Sequence, residues 1–325
     1  MPYQTIVTHN DFDGMASAAL CCVAFGLDRV LYTHPNAVSN ATIAIGEQDI
    51  VCDLPCPLSF ALWFDHHEGN LQDVLLRGGD PTSLKGKFLP EKSCAQVILG
   101  YCAEQGLALP EHLHELVVAT NIIDSFDYTS VEEWRRENPA HILDRAIKAD
   151  KDPRRSWQFL KFLTLQLRGH SLAEVALEQE VQNEYQAYLR EEKLMLELLR
   201  ECVTFHPEDR EHQLVLIDLT RYQRQGPLVK NLAMIDHPEA MAMLLIKNQF
   251  QYGIKTTNLI FSMSLSIKAN NLQHSKNCAA IFQELALGDG HPGAAGGRRT
   301  FSSRVELENS KWEICTAICK RFLAQ

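Results

Sequence analysis

The stretch "THNDFDGMASAAL", residues 8–20, sets His9, Asp11 and Asp13 at alternate positions just before a run of small apolar residues. On an extended backbone, positions i, i+2 and i+4 place three side chains on one face of a strand end. Two carboxylates so close resist ionising together unless a cation or a shared proton compensates, so the cluster asks for a positive charge. Gly14 then permits a tight turn into a helix. Taken alone, the stretch reads equally as an Asx-type helix cap with a spare histidine.

Other stretches repeat the pattern. Asp53 follows "IVC" and precedes Leu-Pro, so a strand delivers one carboxylate to its edge; by itself such an Asp is a turn former. Asp65, His66 and His67 close the apolar run "FALWF", and adjacent acid and imidazole groups there are hard to explain as packing. Asp124 ends another apolar run in "ATNIIDSFDY" and alone is a helix-end acid. Together these make a mixed oxygen and nitrogen ligand set. Carboxylate with imidazole suits a hard to borderline divalent ion such as Mn²⁺, and the absence of cysteine, apart from neighbouring Cys52, disfavours structural zinc. A second chemical motif lies near the C-terminus, "GDGHPGAAGGRR". Gly288, Gly290, Gly293, Gly296 and Gly297 let backbone amides approach an anion, and His291 adds a donor; read by itself the run is either a flexible loop or an anion site.

These residues need elements to position them. Short β-rich runs ("YQTIVT", "RVLYTH", "DIVCDLP", "FALWFDHH") alternate with helical patterns at about 14–26, 93–106 and 110–123. That alternation predicts an α/β fold with a doubly wound parallel sheet, in which ligands gather at the C-terminal ends of strands. "THNDFDG", "CDLP" and "FDHHEG" all sit at such an end. From 172 to 202 the pattern becomes long, charged and helical, a connector with a solvated face. Beyond it "QLVLIDL", "AMAMLLIK" and "NLIFSMSLSIK" predict strands of a smaller α/β domain. The expected organisation is residues 1–170, a helical connector 171–205, and a second domain 206–325.

Composition narrows the classes. A chain of 325 residues, 46% hydrophobic and 22% charged, can bury two real cores. No basic leader and no apolar run long enough for a bilayer are visible, so a cytoplasmic, non-membrane protein is expected. The ten cysteines form no CxxC pair and read as buried thiols of a reducing compartment. A formal net charge of -10 argues against gripping long duplex nucleic acid, while leaving room for a local metal-rich cleft.

"THNDFDG", "VCDLP", "FDHHEG" and "IIDSFD", in this order and followed by "GDGHPGAAGG", resemble the motifs of the DHH phosphoesterase family with its associated C-terminal domain, over nearly the whole chain. The resemblance implies two Mn²⁺ ions, or Mg²⁺ or another divalent ion in their place, that activate a bridging water for cleavage of phosphodiesters or phosphoanhydrides. Carried over by position, it implies His9 and Asp11 on one ion, Asp13 and His66 on the other, Asp53 bridging and Asp124 completing the set. Asp65 would then orient a histidine, and His67 would face the substrate phosphate. It also implies that Gly288, Gly290, Gly293 and His291 hold substrate. The family pattern usually has glycine where Asp289 stands and arginine near Lys268, departures for which Arg298 and Arg299 could compensate.

Within that family the "HNDFDG" form most resembles oligoribonucleases, so the expected partner is a short single-stranded oligonucleotide or another small phosphorylated molecule. Long-strand exonucleases carry further nucleic-acid-binding modules, for which no room is expected here. An exopolyphosphatase or a cyclic (di)nucleotide phosphodiesterase is the alternative. A regulator that binds nucleotides without cutting them would be marked by a missing ligand, and every ligand position is filled.

Overall fold

The computed structural model describes residues 3–224, 226 and 228–325. Two compact units form, Met1–Asp127 with Arg136–Arg190, and Tyr128–Arg135 with Glu191–Gln325.

The first unit is built on five parallel strands, β1 (Thr5–His9), β2 (Val30–Thr33), β3 (Asp49–Cys52), β4 (Leu62–Asp65) and β5 (Gly86–Phe88), in the order β2-β1-β3-β4-β5. Neighbouring residues pack to opposite faces. Ile6, Ile50 and Phe64 join one apolar cluster, while Val7, Val51 and Trp63 join another. Both faces are therefore covered, which is why these strands read as nearly unbroken apolar runs. The chain leaves β1 to one side for β2 and to the other for β3, so the β1/β3 edge is the point where strand order reverses and a crevice opens.

The helix after β1 spans Phe12–Phe25, two residues ahead of its expected start. Asp11 is the reason: it is the N-cap, and its Oδ1 accepts from the Gly14 N–H at 2.9 Å. The first turn crosses the end of β1 so closely that a Cβ on Gly14 would lie 2.1 Å from the His9 carbonyl oxygen. The connector expected at 172–202 is two helices, Leu172–Ala176, opened by a capping box at Ser171, and Gln179–Cys202, within which the compact units divide. Strand β5 and a helix at Glu68–Leu76 escaped the sequence reading.

The second unit carries a six-stranded sheet of order β10-β11-β9-β8-β7-β6, made of β6 (Val203–Thr204), β7 (Leu214–Asp218), β8 (Ala242–Gln251), β9 (Ile254–Leu265), β10 (Gly288–His291) and β11 (Ala294–Arg299). Only the β7–β8 pair is parallel among these neighbours. Helices Cys278–Glu284 and Arg304–Ala324 supply Phe282, Ile318 and Phe322 to a core with Leu244, Phe261 and Met263. The glycine-rich run is no loose loop. It is the β10/β11 hairpin, and a Cβ on Gly288, Gly290 or Gly297 would lie 2.1, 2.2 or 2.3 Å from a backbone oxygen. The glycines here permit close strand approach.

All ten cysteines are free and buried. Among the described residues no helix is long and apolar enough to cross a membrane.

Gly14→Ala should destabilise the protein by about 3 kcal/mol, because backbone must shift where the helix meets β1. Denaturant unfolding against wild type measures this, and a loss below ~0.5 kcal/mol would show that the crossing has slack.

Candidate metal centre

Parallel pairing places Cys52 beside both Thr8 and Phe64, so the residues that follow, His9, Asp53 and Asp65, emerge together at one edge of the sheet. Asp53 leaves β3 in the left-handed region, with φ 56, a conformation that Asp tolerates better than most side chains but still at a cost. Its backbone N–H is held by the Phe64 carbonyl at 3.0 Å. The side chain is consequently turned into the crevice and buried.

Asp53 presents its two oxygens to different groups. Oδ2 lies 3.4 Å from His9 Nδ1, which also pairs with Asp11 Oδ2 at 2.7 Å. Oδ1 lies 3.6 Å from His66 Nε2, which is 3.7 Å from Asp13 Oδ2 and 3.5 Å from Asp124 Oδ2. Three overlapping sets have ligand atoms within 4.8 Å of one another: His9, Asp11 and Asp53; Asp13, His66 and Asp124; and Asp53, Asp65, His66 and His67. Asp11 serves twice, one oxygen capping the helix and the other facing His9, so the helix cap leaves an oxygen on the cluster.

Each supporting contact has an identifiable source. Asp13 accepts from the Cys94 and Ala95 amides at 2.7 and 2.9 Å, buried N–H groups in the first turn of helix Cys94–Glu104 that have no partner within the helix. His66 Nδ1 lies 3.1 Å from the Glu91 carbonyl, which fixes the proton there and leaves Nε2 with a lone pair. Asp65 Oδ1 accepts from the His66 and His67 amides and from His67 Nδ1 at 2.9 Å, while Oδ2 accepts from Asn70. Sequence reasoning placed a helix at about 93–106, where Cys94–Glu104 forms, but did not connect its first amides, Asn70 or Glu91 with the site. Only Ser93, with Gln96 three residues on, left a trace, as a capping signal.

The electrostatics are those of crowded, dehydrated acids. Burial first, then the charges of Asp11 and Asp13, push Asp53 well above the usual carboxylate range; burial with Asp13 and Asp53 does the same to Asp124, and burial lifts Asp13. Burial opposes ionisation of Asp11 too, but the bond and charge of His9 together with the Gly14 amide bring it down. Burial opposes the charged form of His9, yet Asp11 and Asp53 raise it to about 11. Asp65 and then Asp53 likewise raise His67 against burial. Two atoms are left over: Asp53 Oδ1 and His66 Nε2 are buried with no hydrogen-bond partner among the described residues. Orphaned acceptors facing one another across carboxylates fit a divalent cation, and the donor set of hard oxygens with imidazole fits Mn²⁺.

The predicted substrate-binding residues His291, Gly288, Gly290, Gly293, Arg298 and Arg299 all lie on the β10/β11 hairpin of the other unit. His291, Arg298 and Arg299 are exposed. The Gly290 amide is taken by the Asp289 carboxylate at 2.8 Å, and Lys268 caps the Glu239 carbonyl.

No protein-family model matches the chain, and no curated protein matches it by sequence. Solved structures do. The chain is similar to the pGpG-specific phosphodiesterase PggH of Vibrio cholerae, with TM-score 0.69 and 20% identity over 97% of this chain and 98% of that one. The chain has the DHH-domain fold. It is also similar to a solved DHH domain from a member of a family of ribosomal proteins (TM-score 0.55, 12% identity, 98% and 86% covered). RecJ of Thermus thermophilus, solved with Mn²⁺, matches at TM-score 0.54 and 12% identity over 99% of this chain but 52% of RecJ. The doubly wound sheet with a second α/β unit is therefore the architecture that the DHH motifs implied.

In chelator, stability should fall as pH rises from about 6 to about 9. A histidine raised on folding stabilises fully below its ordinary 6.5 and loses that contribution toward about 11. Raised aspartates act in the same direction, because folding favours their protonated form above 3.8. Asp11, lowered, has already contributed in full at these pH values. Added Mn²⁺ should raise Tm more at about pH 9 than at about pH 6, since the ion displaces those protons. Thermal unfolding across the range checks both slopes; a Tm that climbs with pH in chelator contradicts the assignment.

Proposed function

We propose that this chain is a Mn²⁺-dependent phosphodiesterase of the DHH family that hydrolyses short oligonucleotides. The observation that carries the reading is the placement of Asp53, whose two oxygens face two separate ligand groups. His9, Asp11 and Asp53 would hold one ion, and Asp13, His66, Asp124 and Asp53 a second. Bound there, the ions would supply Lewis-acid charge at the phosphate and a more acidic water.

The chain's own residues do the rest. Asp65, saturated by donors, holds His67 by Nδ1, so Nε2 is the nitrogen left for a substrate oxygen. The side chain of His67 is 52% exposed, and against the opposing effect of burial Asp65 and Asp53 raise its pKa, a shift toward the cationic form that suits an anionic phosphate. Burial of Asp13, Asp53 and Asp65 keeps water from screening the charges that meet the reacting group. In this reading the first unit carries the chemistry. Short length is supported by the acidic chain and by the near-complete two-way coverage with a phosphodiesterase named for pGpG, a linear dinucleotide.

Excess chelator should abolish hydrolysis, and Mn²⁺ should restore it. Asp53→Ala, which would remove a ligand of both ions, should lower kcat by about three orders of magnitude, more than Asp11→Ala or Asp124→Ala. Steady-state kinetics on a chromogenic phosphodiester decides this, and full activity of Asp53→Ala removes the two-ion reading.

Substrate class is tested with RNA oligomers from two to about twenty-four nucleotides, run beside cyclic dinucleotides and polyphosphate. The kcat/KM should peak at roughly two to five nucleotides and fall steeply beyond, because extra phosphates meet a negative surface. Faster cleavage of the longest RNA would reject the short-substrate reading. Polyphosphate or a cyclic dinucleotide outpacing every oligomer would assign the alternative substrate to the same site.

A further inference from the structure

The Asp13–His66–Asp124 group draws its support from one short segment of the first compact unit. Strand β5 runs beside β4 with Phe88 paired to Asp65, so the chain leaves the sheet next to the motif that carries His66. Three residues on, the Glu91 carbonyl meets His66 Nδ1 at 3.1 Å. The Cys94 and Ala95 amides then donate to Asp13 Oδ2 and Oδ1. Two of the three ligands are thus held by residues 91–95. The His9–Asp11 group takes nothing from this segment, since His9 pairs with Asp11 and Asp53 and Asp11 accepts from Gly14.

The third ligand is reached less directly. No hydrogen bond to the Asp124 carboxylate is present among the described residues, and its near neighbour is His66 Nε2 at 3.5 Å. Its place therefore depends on the last turn of helix Glu111–Asp124. Asn121, three residues back and on the same side of that helix, is gripped at both ends of its amide. Oδ1 accepts from Ser93 Oγ at 2.6 Å, and Nδ2 donates to Gln96 Oε1 at 3.0 Å.

Ser93 joins these two arms. It is buried, and as the N-cap of helix Cys94–Glu104 its Oγ accepts from the Gln96 amide at 3.1 Å. One hydroxyl therefore caps the helix whose amides hold Asp13 and ties that helix to the one that ends in Asp124. Lys92 adds an ion pair to Asp127 at 2.5 Å, but both side chains are more than half exposed, and such a pair contributes little.

We propose that residues 91–96, tied to Asn121 through Ser93, position all three ligands of the Asp13–His66–Asp124 group and so set its affinity for a divalent ion separately from that of the His9–Asp11 group. Ser93 and Asn121 are then positioning residues. A ligand already held in place spares the ion the cost of ordering it. The inference rests on the metal-centre reading above, and the test separates the two.

Mn²⁺ is titrated into the full chain, free ion is counted by electron paramagnetic resonance, and thermal unfolding in chelator is recorded alongside. Wild type should bind two ions, and Asp124→Asn should weaken one of them. Asn121→Ala and Ser93→Ala should weaken one ion by roughly tenfold, the low end for groups that orient a ligand, and leave the other unchanged. Which ion it is follows from combination. Added to Asp124→Asn, Asn121→Ala should cost little more and leave one ion tightly bound, because it acts through Asp124. Added to Asp11→Asn, which weakens the ion of the other group, it should leave both weakened. Asn121 is only half-buried, so Asn121→Ala carries the test if Ser93→Ala unfolds the protein. Equal weakening of both ions in folded Asn121→Ala, or of neither, overturns the proposal while the metal centre stands. A wild-type chain that binds no Mn²⁺ overturns the metal centre and the proposal together.

Discussion

The structure is organised around one electrostatic problem, five carboxylates brought into one largely buried crevice. Two unit charges 4 Å apart repel by about 4 kcal/mol even at an effective dielectric of 20, and several such pairs exceed what a marginally stable fold can carry. The surrounding structure answers acid by acid. Helix amides neutralise Asp13, a helix cap and an imidazole take Asp11, and Asp65 is saturated by His67, Asn70 and two amides. What these contacts leave uncompensated is Asp53 and Asp124, the two carboxylates pushed furthest above their ordinary range, and that remainder defines where a cation belongs.

A parallel sheet is what makes this concentration possible. Its strands all end on the same edge, so an acid placed just after each of several separate strands converges without any long loop. The order β2-β1-β3-β4-β5 adds a reversal between β1 and β3, and the two residues that flank it are His9 and Asp53. Helices cover both faces of the sheet and make burial at the edge possible. An antiparallel sheet would have sent alternate strand ends to opposite sides.

This geometry explains what could be read from the sequence. Each strand carried its acid or histidine at its own C-terminal end, so local patterns plus one topological rule located His9, Asp11, Asp13, Asp53, Asp65, His66 and His67. Contacts that join distant segments left no such trace. The Cys94 amide that holds Asp13 lies 81 positions away, and nothing near either residue announces the other. The glycine run read as loop or anion site because glycine frees the backbone; its pairing as a hairpin depends on β9, whose partner register is invisible from "GDGHPGAAGG" alone. The excursion of residues 128–135 into the other unit was equally hidden, since a short helix and a few polar residues look the same whichever core they join.

Asp53 is where these constraints meet. Its backbone is left-handed, at a cost of about 1 kcal/mol for a residue other than glycine. Its carboxylate is dehydrated, sits beside two other acids, and leaves Oδ1 without a partner. Asn would keep the same backbone conformation with none of the charge, and Gly would remove the conformational cost, so neither turn geometry nor packing accounts for an aspartate at this position. Strain, dehydration and like-charge repulsion oppose stability by separate routes, and all three meet at the one carboxylate that faces both His9 and His66, the place in the cluster where a cation would offset them.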